Sequence, residues 1–281
     1  MSTETVNEEL TAWETSSQSW SRHRSLISVM FAPLTSALID AAHIGPGQSV
    51  LDVGGGSGEP SLSIAPIVGQ AGSVTYTDPS AGMVNAARDE ADRRGLTNVR
   101  FHQCPANQLP FPANSFDVGV SRLAAMFFPD VMAGLCEILR VIKPGADLSL
   151  VVWAGLEFNP FFNVVTETLE KFIPAEAEDE DALGAFRFAR LGKLAKLLEE
   201  AGATPVTERT VKFGIEAPIT PAGFWALRAE MSDTLRSKLT RLDGEQVTAV
   251  KEAVQQAVAV YFENGAMVFP AQALIVSAQK Y

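Results

Sequence analysis

Cysteine and histidine are scarce in this chain: two and three respectively in 281 residues. Cys104 and Cys136 cannot by themselves build a disulfide framework or a zinc cluster, so no metal is expected. Basic charge is also short, with 22 Lys and Arg against 33 Asp and Glu and a formal charge of −11. That surplus of acid repels a phosphate backbone and argues against a nucleic-acid partner. Long apolar runs are missing. The longest uncharged stretch, Pro60 to Thr77, is interrupted by Pro66, Gly69 and Gly72, which a bilayer-spanning helix of about 20 residues tolerates poorly. Met1 to Leu10 carries Glu4, Glu8 and Glu9 without a basic or an apolar region of the secretory kind, so a cytoplasmic location with no membrane insertion is expected. Repeats and low-complexity tracts are absent apart from Glu176, Glu178, Asp179, Glu180 and Asp181, which read as a solvated loop.

What is present is the composition of a globular protein, 47% hydrophobic and 20% charged. Its length suits one large domain or a domain with a substantial cap, at roughly 150 residues per domain. From Ser49 to Ala154, β-rich runs alternate with helical patterns, the signature of βαβ units and a doubly wound, mostly parallel α/β sheet. The expected strands are Ser49 to Val53, Ser73 to Thr77, Val99 to Gln103, Phe116 to Ser121 and Leu148 to Trp153. Ser80 and Asp130 stand as N-caps of helices that Gly95 and the Lys143-Pro144-Gly145 run stop. Beyond Trp153, Asn159 and Pro160 introduce a helix, Val206 to Ile215 reads as a strand, Thr220 and Pro221 open a pair of helices ending near Gly265, and Ala266 to Ala278 reads as the last strand. The expected division is a helical segment over 1–45, a sheet core over 46–155, 184–218 and 265–281, and helical insertions over 156–183 and 219–264. Insertions at strand ends commonly build a substrate lid.

The most informative segment is Val50-Leu51-Asp52-Val53-Gly54-Gly55-Gly56-Ser57-Gly58, a strand running into glycines. Glycine permits positive φ and lets backbone approach a ligand closely, and the N–H groups of such a turn suit an anion or polar ligand. The dinucleotide spacing G-x-G-x-x-G fails here, because Glu59 or Ser57 occupies a glycine position in either register. A nucleotide-dependent oxidoreductase is therefore disfavoured. The pattern Asp52-x-Gly54-x-Gly56-x-Gly58, followed by Thr77-Asp78-Pro79-Ser80, by Ala106-Asn107 before Leu109-Pro110-Phe111, and by Ser121 at the close of the fourth strand, resembles class I S-adenosylmethionine-dependent methyltransferases. Within that family it is similar to the small-molecule group that includes ubiquinone and menaquinone C-methyltransferases. The resemblance implies a Rossmann-like sheet of seven strands with the last one antiparallel, and S-adenosylmethionine as cofactor. It implies Asp52, Gly54, Gly56 and Gly58 at the cofactor turn, Asp78 with Pro79 on the ribose, Met83 with Ala106 and Asn107 near adenine, and Ser121 lining the cofactor site. Pro105 stands where the family has an aspartate; proline offers neither carboxylate nor N–H, so that adenine contact is expected to be lost.

The expected reaction is methyl transfer to a small, apolar or aromatic acceptor at an O, N or C atom. The alternative is an S-adenosylmethionine-binding protein or a non-methylating enzyme on the same fold. Candidate walls are Phe127, Phe128, Trp153, Phe158, Phe161, Phe162, Phe186 and Phe188, with Trp13 and Trp20 from the amino-terminal segment. Among histidines His23, in the segment that covers the cofactor in relatives, is the candidate base, while His43 and His102 read as structural or surface residues. Arg122 reads as a salt-bridge residue or an anchor for an anionic acceptor. The acidic loop and the two insertions are expected to form a mobile lid, protected by cofactor from proteolysis near Glu178.

Overall fold

The computed structural model describes residues 3–174, 180–263 and 265–281. Glu176, Glu178 and Asp179, on which the lid expectation was centred, lie outside the described residues, as does Asn264 at the end of the second insertion. Two helices, α1 (Thr3–Met30) and α2 (Ala32–Ala41), precede the sheet. The alternating core follows: β1 (Ser49–Val53), α3 (Ser61–Val68), β2 (Ser73–Asp78), α4 (Ala81–Arg93), β3 (Val99–Gln103), β4 (Phe116–Arg122), α5 (Val131–Val141) and β5 (Ile142–Trp153). The remainder comprises α6 (Pro160–Leu169), α7 (Lys193–Glu200), β6 (Ala203–Ala217), α8 (Pro221–Met231), α9 (Asp233–Leu239), α10 (Gly244–Val258), β7 (Phe262–Glu263) and β8 (Ala266–Lys280).

Strand order along the main path is β3-β2-β1-β4-β5-β8-β6, with β7 paired to β8 outside it. The first five strands run parallel, and β8 lies antiparallel between β5 and β6. The expected seven-stranded arrangement thus carries one further, two-residue strand. Val50, Leu51 and Val53 of β1 and Leu148, Leu150, Val151 and Val152 of β5 are buried, as central strands covered by helices on both faces require. Side-chain caps set the helix starts: Ser80 accepts from Met83 N and Asp130 from Ala133 N. Asp243 and Gln246 form a reciprocal capping box at α10.

Several boundaries depart from expectation: β5 begins at Ile142 rather than Leu148, and β6 spans Ala203–Ala217 rather than Val206 to Ile215. The second insertion holds three helices, because Ser232 ends α8 and its hydroxyl accepts from Leu235 N, starting α9 one residue later. The last helix stops at Val258, and Phe262 and Glu263 pair with Met267 and Ala266; the Gly265 turn, at φ 82°, closes a hairpin there.

One feature of register positions the cap. Pairing of β5 with β8 reaches no farther than Trp153 opposite Ala273, whereas β6 stays paired with β8 as far as Ala217 opposite Met267. The β6–β8 ribbon therefore projects past the carboxyl edge of the parallel strands. Phe269 of that ribbon is fully buried, stacked on Phe224 of α8 (5.2 Å between centroids) and Tyr261 (4.3 Å). Asn159 joins this cap to the sheet: its Nδ2 lies 3.0–3.1 Å from the carbonyls of Ala154, Gly155 and Gln272, and its Oδ1 accepts from Gln272 N at 3.0 Å. It begins α6 without capping it by its side chain. Among the described residues no single helix is long and apolar enough to cross a membrane, and no His, Cys, Asp and Glu group could hold a metal.

Candidate functional site

The glycine turn lies at the carboxyl edge of β1, where ligands of open α/β sheets bind. Its glycines do different jobs. A Cβ on Gly54 would meet Ala124 Cβ at 2.5 Å, one on Gly55 the Tyr76 ring at 2.5 Å and Asp52 Oδ2 at 2.8 Å, and one on Gly58 the Leu62 side chain at 2.5 Å. Packing excludes side chains at these three positions. Gly56, at φ 53°, meets nothing within 4 Å, so the turn presents bare backbone to open space there.

Two buried acids brace the turn. Asp52 is fully buried; its Oδ2 accepts from Ser61 Oγ (2.6 Å) and Ser61 N (3.2 Å), fixing the first turn of α3, while Oδ1 is buried without a partner. Burial outweighs these hydrogen bonds and the nearby Arg122 charge, and raises its pKa to about 7. Asp78, at the end of β2, accepts from Gly56 N at 3.0 Å through Oδ2 and from Ser80 N at 2.9 Å through Oδ1. Burial lifts its pKa to about 6, against the two backbone N–H groups that lower it. A carboxylate oxygen accepts more than one hydrogen bond, so both oxygens retain capacity toward a ligand at Gly56. Tyr76, which the sequence reading did not single out, completes the brace by donating its hydroxyl to Gly56 O at 2.5 Å.

The other anticipated residues surround this centre unequally. Pro79 is partly exposed, and its carbonyl accepts from Gln103 Nε2 at 3.1 Å. Met83 is buried behind the Ser80 cap. The 104–108 loop is tied to Asp78 by Cys104 N donating to Asp78 O at 3.1 Å; in it Ala106 is partly buried, whereas Pro105 and Asn107 are exposed. Ser121 is fully buried with its hydroxyl given to Val53 O at 2.8 Å. Its side chain thus clamps β4 to β1 rather than lining an open site. Arg122 donates to Thr35 Oγ1 at 2.8 Å and lies in the field of Glu59 and Asp52, on the glycine-turn side of the molecule.

Helix α1 spans this edge. Glu14, also missed at the sequence level, accepts from Ser80 Oγ (2.6 Å) and Gly82 N (3.0 Å) at the start of α4. Next to it, Trp13 packs edge-on against Phe127, 5.0 Å away, just past β4. Farther along, Arg24 donates to Glu90 and Ala86 O, both at 2.9 Å, while His23 Nε2 and Arg22 each lie 2.9 Å from Glu230 of α8. His23 is thus engaged between α1 and the cap. His43 pairs with Asp147 at 2.9 Å, and His102 packs edge-on against Phe111.

The anticipated aromatic walls divide by burial. Phe128, Trp153, Phe161 and Phe188 are buried, whereas Phe127, Phe162, Phe186, Trp13 and Trp20 keep partial exposure and Phe158 is exposed. Phe162 links the groups, 5.0 Å from Trp153 at the carboxyl end of β5 and 5.5 Å from Phe186. A cluster of aromatic rings thus lies at the carboxyl end of β5, two strands along the sheet from the β1 glycine turn.

Comparison with known proteins agrees with this geometry. A family described as a methyltransferase domain matches residues 51–150, the stretch that holds the turn, Asp78 and β4. A demethylmenaquinone methyltransferase of Listeria welshimeri is 30% identical over 234 residues, covering 79% of this chain and 98% of its own. An uncharacterized protein of Mycobacterium tuberculosis is 33% identical over 150 residues, 53% of this chain; the chain spans about half, 52%, of that relative's length. Among solved structures, the YcgJ protein from Bacillus subtilis superposes with a TM-score of 0.57 at 21% identity, over 88% of this chain and 97% of that one.

Proposed function

The chain belongs to the class I S-adenosylmethionine-dependent methyltransferases, and from that premise we propose that it transfers a methyl group from S-adenosylmethionine to a small, apolar or aromatic acceptor held between the sheet edge and the helical cap. The observation that carries this reading is the joint placement of Asp78 and the open Gly56 turn: a buried carboxylate and bare backbone meet at one point of the sheet edge. Asp52, with one buried oxygen lacking a partner, adds a second polar atom suited to a bound ligand. These features fit the cofactor. When bound, it supplies an electrophilic methyl on a sulfonium sulfur.

The roles of the chain's own residues follow from their chemistry. Asp78 accepts the two ribose hydroxyls, which favours its ionised form; Gly54, Gly56 and Gly58 give the backbone its close approach; Ala106 and Asn107 flank the adenine side with Pro79 and Met83. Pro105 leaves that flank to backbone and shape. Helix α1 excludes water by bridging α4, the β4 end and α8. In the acceptor chamber Phe162 and Phe186 offer flat apolar faces, and the Listeria relative is named for a quinone acceptor. Alignment in a dry site contributes up to about 7–11 kcal/mol to such a displacement. His23, whose Nε2 pairs with Glu230 and whose Nδ1 stays available among the described residues, is the candidate base where the acceptor atom is O or N.

The test is an acceptor screen with methyl-labelled S-adenosylmethionine, scored for S-adenosylhomocysteine and for labelled product. Equimolar release of both with an aromatic acceptor is expected. Cofactor binding without turnover across neutral, anionic and cationic aromatics would overturn transfer in favour of a binding or non-methylating role.

A further inference from the structure

The partly buried arginines of the core have hydrogen-bond partners. Arg24 and Arg94 donate to Glu90, Arg94 also to Glu59, and Arg122 to Thr35. Arg228 of α8 differs. Its Nε is buried without a partner, as are those of Arg24 and Arg122, but where their terminal nitrogens donate to Glu90, Ala86 O and Thr35, the Arg228 guanidinium bonds no carboxylate, hydroxyl or carbonyl among the described residues. Two aromatic faces hold it instead: the guanidinium carbon lies 5.0 Å from the Phe161 centroid and 4.8 Å from that of Phe162. Such stacking orients the fork while providing neither counter-charge nor acceptor atoms. Burial alone lowers its pKa to about 10, which leaves the group charged at neutral pH. Glu230, the acid closest along α8, is taken by Arg22 and His23.

The position matters as much as the missing partner. Phe162 connects Arg228 to Trp153 at the carboxyl end of β5 and to Phe186. The cation therefore sits in the cap, over the aromatic rings at the carboxyl end of β5, the same edge of the sheet that carries the glycine turn. Arg228 is half-buried; a charge partly withdrawn from water without a counter-charge is destabilising, and a bound carboxylate offsets that cost through two parallel charge-assisted hydrogen bonds.

We propose that Arg228 is the anion-binding residue of the acceptor site, and that the acceptor is a flat apolar molecule bearing a carboxylate, its ring against Phe162 and Phe186 and its carboxylate on the guanidinium fork. This rests on the cap being the acceptor side of a methyltransferase. Arg228 acts as a specificity residue and takes no part in the displacement.

Biphenyl-4-carboxylate and its neutral amide, equal in shape, are titrated into the full chain with and without saturating S-adenosylhomocysteine. The carboxylate is expected to bind about tenfold tighter or more. Arg228→Gln should bring the two within about threefold, and Arg228→Lys should restore part of the preference, with S-adenosylhomocysteine affinity unchanged. Arg228→Met, apolar and of similar length, gives the same readout should the Gln variant fail to fold. Equal affinities in the native chain, absence of carboxylate binding, or a preference that survives removal of Arg228 would overturn the assignment. Failure of S-adenosylhomocysteine to bind is a separate result: it strikes the cofactor reading, while the carboxylate preference is still scored in its absence.

Discussion

The two halves of the molecule treat polar groups in opposite ways. At the sheet edge, Asp78, Ser121, Tyr76 and Ser80 are tied to nearby backbone by short hydrogen bonds, so the turn is held in shape before any ligand arrives. In the cap, Phe161, Phe162, Phe224, Phe262 and Phe269 pack ring to ring, and Arg228 stands among them without a polar partner. The first arrangement suits a fixed cofactor. The second suits an acceptor whose shape and charge complete the site, so the same core can serve many acceptors.

Substitutions should therefore separate the halves. The largest effect is expected at the base of the cap: Phe269→Ala removes a fully buried ring and should cost about 3–5 kcal/mol by thermal or denaturant unfolding, while affinity for S-adenosylhomocysteine in the folded fraction stays within about twofold. A large loss of cofactor affinity would show that cap and turn are one cooperative unit. Within the turn, Gly55→Ala forces a methyl against the Tyr76 ring and Asp52 and should destabilise by about 1–3 kcal/mol. Gly56→Ala meets no protein atom and should cost only about 1 kcal/mol, from its left-handed backbone, yet weaken S-adenosylhomocysteine binding severely. If both variants lose stability equally and binding in proportion, Gly56 does not face the cofactor.

Much of the sheet edge was legible in the sequence because its signals are local. The Asp52 to Gly58 run, the Ser80 and Asp130 caps and the β-rich runs each act within a few residues, and the first four strands hold to within one residue, while β5 begins six residues and β6 three residues earlier than expected. Ser121 shows the limit: its place at the end of β4 was readable, but the gift of its hydroxyl to Val53 depends on a strand 68 positions away. Asn159 reads as a helix-starting residue, yet its side chain serves Gln272, 113 positions distant. Arg228 and Glu14 gave no signal, since an exposed helical arginine or glutamate has the same sequence context as one that packs across helices. The break between α8 and α9 was hidden because Ser232 ends one helix and caps the next.

The most direct test of the account is titration of S-adenosylhomocysteine into the native chain and Asp78→Asn at about pH 7.5 and about pH 5. Burial raises the Asp78 pKa to about 6, and ribose hydroxyls favour the ionised carboxylate, so affinity should be full above that pKa and fall as pH drops through it. The native chain should bind about tenfold more weakly at the lower pH. Asp78→Asn should bind weakly at both, losing the step at the Asp78 pKa and keeping only what Asp52, with its pKa raised to about 7, contributes. Native-like affinity and an unchanged pH profile in the Asn variant would contradict the placement of the cofactor on Asp78.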